Sequence, residues 1–323
     1  MTKPGLLVAV AAALLGAQSA HAHGIAGNRY FAGTITFDDP AVADEAILPG
    51  FSTLNHPAQG GNVSDTRFNW SFDRLLTPTV AVTFDGGWIS RNWSTAQSSG
   101  LDTTNVGIKA EVFRNNQHEA LISAGLAWGI GRSGAAGVDA NGPNTIQPGV
   151  FFGKGFGDLP DQAAWLRPFA VTGAIVDEMP VGTTTGTALV PNLAPGMLQS
   201  IQVPKVETLH WGFSIQYSTY YLTSRFTGGA PKEEPLNQFV PLVEFAFDNP
   251  RVGAPVATMN PGLAYVAVTW QVAAEAIVPR NRDSGGATGF RMQLLFFIDD
   301  ALPSIFGKPL LSDQPDRSLI AWH

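Results

Sequence analysis

The 323-residue sequence contains no cysteine, which excludes a disulfide framework, a thiolate metal site and a cysteine nucleophile. Past the start of the chain no apolar run reaches the roughly 18 residues that a membrane-spanning helix requires. Charge is also scarce. Charged residues make up 14% of the chain, the net charge is −7 and no basic block occurs, which disfavours nucleic acid as a partner. Against these absences stands a hydrophobic content of 45%. The chain is apolar without holding a long apolar segment, and many short strands with apolar residues at alternate positions would resolve that contradiction.

The opening residues indicate export. Lys3 supplies a short positive start, residues 6–15 are an apolar run, and Ala20-His21-Ala22 has the small-x-small form of a signal-peptidase site. The run is too short to span a bilayer. The expectation is a cleaved secretory signal over residues 1–22 and a mature chain beginning at His23, with an uncleaved anchor as the alternative.

From Asn62 onward one theme repeats: about ten residues of alternation, then turn residues. Leu209, Trp211, Phe213, Ile215 and Tyr217 share one face of a period of two, with His210, Gly212, Ser214, Gln216 and Ser218 on the other. The same reading places strands at Phe68 and Phe72, Val80 and Trp88, Val106 and Val112, Ile122 and Ile130, Phe239 and Phe247, Val266 and Ala274, and Phe290 and Ile298. Weaker ones fall at residues 150–154 and 169–175, making ten readable strands of an expected twelve or so. The polar faces are rich in Gly, Ser, Thr and Gln with a single charge in most strands, which suits a narrow lumen better than the exposed face of a soluble sandwich. Trp70, Trp88, Trp93, Trp128, Trp165, Tyr220 and Tyr221 near strand ends fit interfacial girdles.

These features predict an all-β fold, an antiparallel transmembrane β-barrel over residues 62–300. An N-terminal extension (23–61) is read as a cap or plug, and residues 301–323 as a tail. Long connections at 94–103, 131–145, 179–206 and 249–261 alternate with short ones near Pro78, at 115–119 and at 157–162. Counting from Asn62 puts the short set outside, against the usual rule. Either a strand hides earlier, near residues 29–37, or the rule fails here.

Several segments carry a resemblance. His23-Gly24, the Ala-Gly-x-Arg-Tyr-Phe segment at 26–31, Asp-Asp-Pro-x-Val-Ala-Asp-Glu at 38–45, residues 151–160, Leu166-Arg167-Pro168-Phe169, 275–279 and 296–300 resemble a group of proteobacterial outer-membrane β-barrel proteins without an established activity. More loosely, the chain is similar to the meta-pathway phenol-degradation-like outer-membrane barrel family. The resemblance implies a barrel in the Gram-negative outer membrane and a role with small organic compounds, and transfers no catalytic residue. The polar stretch at 312–317 departs from the group at its end.

Candidate functional residues are the inward polar ones: Arg67, Asp73, Asp85, Lys109, Glu111, His210, Gln216, Glu244, Gln271, Glu275, Arg291 and Gln293. They either line a selective pore or pair with one another and brace the barrel. His23, as a mature N-terminus, offers an amine and an imidazole to copper, with His56 or His118 as a third ligand. Gly153-Lys154-Gly155-Phe156-Gly157 lacks the ending of a phosphate loop, so its glycines are expected to bend or crowd a strand. His210 beside Ser214 is the one hydrolase-like pairing, and no Gly-x-Ser-x-Gly elbow accompanies it. The expected function is passage or uptake of a small solute without enzyme activity or cofactor. The partners expected are outer-membrane lipid, the barrel assembly machinery and the solute. The alternative is a structural or surface-binding barrel plugged from within, for which an inward-folded N-terminal segment would be the discriminating sign.

Overall fold

The computed structural model describes residues 24–226 and 237–311. Twelve strands close into one antiparallel barrel: β3 (Glu45–Ala58), β4 (Gly61–Thr77), β5 (Val80–Asn92), β7 (Asn105–Asn115), β8 (Ala120–Gly129), β9 (Asn144–Gly155), β10 (Phe169–Val181), β13 (Thr208–Tyr217), β14 (Gln238–Pro250), β15 (Val256–Val266), β16 (Trp270–Pro279) and β17 (Gly289–Phe297). Each pairs with its predecessor, and β17 returns to β3 with Phe290 opposite Thr53 and Phe297 opposite Glu45. Closure leaves no wall strand with an unpaired edge. Smaller pieces lie outside the wall: β1 (Ile25–Ala26) with β2 (Arg29–Tyr30), β6 (Gln97–Leu101) beside β5, and a hairpin of β11 (Thr185–Pro191) and β12 (Leu198–Pro204). Three short α-helices, α1 (Thr219–Phe226), α2 (Ile298–Ala301) and α3 (Pro303–Phe306), and two 3-10 turns, Ala136–Val138 and Asp161–Leu166, complete the described elements.

All ten strands legible in the sequence are present, and the two that were missed are β3 and β15. The hidden early strand is Glu45–Ala58, not residues 29–37. Counting it removes the loop-length conflict. The connections after β5, β8, β10, β14 and β16 all fall at one end, the mouth, together with the tight β3–β4 turn. The start of β3, the end of β17 and the turn at 78–79 fall at the other, the terminus end. The alternation read from Val266 through Ala274 spans a turn at 267–269, so Val266 closes β15 facing inward while Trp270 opens β16.

The outer wall is apolar. Phe68, Phe84, Ile108, Leu126, Val150, Ile175, Ile215 and Leu263 stand exposed on it. Aromatic contacts gather at its two ends. Trp211 stacks on Phe247 at 4.1 Å near the mouth, while Phe169 meets Tyr217, and Phe239, Tyr265 and Trp270 meet in series, at the terminus end. Two residues expected in these girdles are elsewhere. Trp93 is buried under the mouth loops and donates to the Gln59 carbonyl, and Tyr221 is buried at the inner end of α1 against Arg29.

The tail after β17 covers a charge. Arg74 of β4 reaches the fully buried Asp44 and donates to the carbonyls of Phe306 and Lys308, with its guanidinium over the Phe306 ring. Removing one member of a buried pair strands the other. Arg74→Met is therefore expected to cost about 3 kcal/mol and to lower the temperature at which the folded barrel loses its compact gel mobility. An unchanged transition would show that the tail does not brace this end.

Candidate functional site

The N-terminal segment folds into the barrel. It has its own two-stranded β1–β2 sheet and shares no backbone ladder with the wall. It enters beside the β7–β8 and β9–β10 turns, rises past Phe31 toward β14 and β16, turns at Phe37, and descends past β7 and β8 to the start of β3. Residues 24–44 thus form the plug, and the remainder of the expected 23–61 extension is wall.

Side chains of the wall hold this plug by its backbone. Gln216 accepts from the Ala32 N–H at 3.0 Å and donates to the Ala32 carbonyl at 2.9 Å. Gln271 does the same for Gly33, at 3.1 and 2.9 Å, and also accepts from the Tyr30 hydroxyl. Gln293 donates to the Thr34 carbonyl, and Glu244 accepts from the N–H groups of Ile35 and Thr36 at 2.9 and 2.8 Å. A carboxamide carries a donor and an acceptor side by side, so it can pair with one residue's N–H and C=O as a neighbouring strand would. The Thr36 hydroxyl then joins Glu275, Asn260 and Arg291. Gln216, Glu244, Gln271 and Gln293 therefore grip the plug by its backbone, and Glu275 bonds its Thr36 hydroxyl.

Aromatic rings of the plug rest on inward glycines. Phe31 lies against Gly153, where an added Cβ would come within 3.1 Å of the ring, and Phe37 lies against Gly212. The glycine cluster noted in the sequence thus supplies a seat. Below, Ile25, Tyr30 and Ala32 pack with Val240, Leu242, Val266, Leu295 and Phe297 into an apolar core inside the barrel. At the terminus end Arg29 is buried, stacks 4.2 Å from the centre of Tyr221 and donates to the Pro168 carbonyl and to Glu119. Burial pulls its guanidinium down from the usual range, with the Glu119 charge opposing.

The other inward charges are mostly paired. Arg67 bridges Asp65 and Asp102, Glu111 pairs with Arg114, which itself donates to the Ile25 carbonyl, and His210 bonds Asp248 at 2.6 Å. Lys109 donates to Asp38 of the plug at 2.8 Å with its ammonium 4.8 Å from the centre of Phe151. Ser214 lies four residues from His210 along one strand, roughly 13 Å by strand rise, so the two do not form a catalytic pair. His23 lies outside the described residues. His56 bonds Asp65 and His118 bonds Asp158, and among the described residues no group of three candidate metal ligands gathers.

Beside the plug lies a cavity of about 650 Å³ that reaches down the wall to Glu45 and Asp73. Plug residues 33–39 form one side; Glu45, Asp73, Asp85, Lys109 and Phe151 belong to the other. Among the described residues none from the turns at the terminus end lines it.

No family model matches this sequence, and no curated protein matches it, so the resemblance noted above rests on its motifs alone. Solved structures are similar in fold. A KdgM porin is 11% identical with a TM-score of 0.39, covering 78% of this chain and 98% of its own. An outer membrane channel from Pseudomonas putida F1 is 10% identical with a TM-score of 0.47, covering 78% and 92%. The outer membrane phospholipase A from Escherichia coli is 11% identical with a TM-score of 0.35, covering 81% and 94%.

Proposed function

We propose that this barrel spans the outer membrane of a Gram-negative cell and admits a small solute through a lumen that residues 24–44 hold shut until they are displaced. The apolar outer wall, bounded by aromatic residues at both ends, supports the membrane, and the closed ladder meets the bilayer's demand that every backbone group be paired. The observation that carries the gating is that the plug has no ladder bond to the wall. It can leave without breaking the barrel, and a cavity inside the barrel already reaches it.

A second reading, a permanently plugged structural or surface-binding barrel, is favoured by the inward fold of the N-terminal segment, the sign expected of it, and by the apolar core that the plug completes. One experiment separates them. The full chain, refolded and inserted in planar bilayers, is expected to be closed with rare openings, and a chain lacking residues 24–40 to give steady, discrete steps. Silence from both, in protein with folded gel mobility, would remove the passage reading and leave the structural one.

A further inference from the structure

The cavity wall holds an excess of carboxylates. Asp38, Asp39, Glu45, Asp73, Asp85 and Asp248 line it, against Lys109, Arg291 and the imidazole of His210. Four of the six have near partners. Asp38 is bonded by Lys109, Asp248 by His210, Asp85 by the Asn105 amide at 2.7 Å, and Asp39 by the Ala41 N–H at 2.7 Å. Arg291 is turned away to Glu275. Glu45 and Asp73 remain. They sit directly opposite each other on β3 and β4, each is 8% exposed, and among the described residues neither carboxylate has a hydrogen bond or an ion pair. Lys109 interacts with both only through space, its charge shared with Asp38 and Asp39.

Two facing, desolvated carboxylates that share the single Lys109 ammonium with Asp38 and Asp39 are costly unless more positive charge joins them. A bare metal ion does not suit the place, since the carboxylates are spread along a wall and among the described residues no metal-binding group of three converges. The cavity, at about 650 Å³, has the size of a small-molecule site, and Phe37 and Phe151 give it apolar surface. We propose that it binds a small organic ammonium ion, its charge held by Glu45 and Asp73 with Asp85 beside them and its hydrocarbon part against the phenyl rings. This names the class of solute and rests on the reading that solute enters the lumen from the mouth.

The test uses three four-carbon probes of equal length: 1,4-diaminobutane, the neutral 1,4-butanediol and the dianion succinate. Each is titrated calorimetrically into the refolded full chain in detergent. The diamine is expected to bind and the other two to give no heat. Replacing Glu45→Gln together with Asp73→Asn is expected to weaken diamine binding by about tenfold or more, the worth of one good charged contact. Should that double variant not fold, Asp85→Asn, which keeps its shape and its place beside Asn105, is expected to weaken binding severalfold. No diamine heat, equal heats from all three probes, or full affinity in the folded variants would each overturn the proposal. Calorimetry does not depend on conduction. Diamine binding to a barrel that never conducts would leave this site standing and remove the passage reading.

Discussion

Replacing Gly153 by valine is expected to turn a closed barrel into a conducting one. Gly153 faces inward on β9, and the three nearest atoms that an added Cβ would meet all belong to the Phe31 ring, at 3.1–3.2 Å. The first clash of a larger side chain is therefore with the plug. Phe31 is 1% exposed and packs with Ala26, Leu121 and Ala170. Overpacking there costs about 1–3 kcal/mol, and it falls on the closed state alone. A shift of about 2 kcal/mol raises the open fraction about thirtyfold, read as open probability in planar bilayers. Combining Gly153→Val with Phe31→Ala should restore closure, because the alanine makes room for the valine. An open fraction that is unchanged in the single variant would mean that the ring's seat is not what keeps the plug in.

Glu244→Ala is expected to act at the other end of the same segment. The carboxylate accepts two hydrogen bonds from consecutive backbone N–H groups, Ile35 and Thr36. Hydrogen bonds to a charged group contribute about 1.5–3 kcal/mol each, so the loss of both releases the upper turn of the plug. The measurement is amide hydrogen exchange. Protection at Ile35 and Thr36 should fall by about a hundredfold or more, while protection in β13 and β14 should persist because their ladder is untouched. Glu244→Gln, which keeps one acceptor, should fall between. Unaltered exchange at these two amides would show that the plug is held elsewhere.

The wall was legible in the sequence because its chemistry is periodic. One face meets an apolar surround and the other a crowded interior, so ten strands announce themselves by alternation. β3 and β15 do not, for a shared reason. Pro49-Gly50 and Pro57 lie within Glu45–Ala58, and Pro261-Gly262 within Val256–Val266. Proline cannot donate to a ladder and so reads as a break. In β3 the break is real but local, a register shift between Ile47 and Gly50. The plug has no period at all, because its contacts come from every side. The inward polar residues were visible, but their use was not. Glutamine reads as pore lining until a peptide backbone is seen opposite it. The available signal was the amide character of Gln216, Gln271 and Gln293 together with inward glycines such as Gly153 and Gly212, polar hooks beside vacant seats. The pairing of Glu45 with Asp73 was hidden as well, since Glu45 fell in a segment read as extension.

The route of the plug makes its release depend on the direction of load. The chain enters at the terminus end, climbs to Phe37 and descends to β3. A tug on its N-terminal side meets the Ile25 and Gly27 attachments first, then Arg29, then the Ala32 and Gly33 pairings, then Glu244, one after another. It peels. A push from the mouth bears on the turn near Phe37 and loads both limbs in parallel, so many bonds share the force at once. Peeling needs far less force than shearing, so the attachments of residues 24–44 resist a load from the loop side far better than the same load applied along the chain from the other.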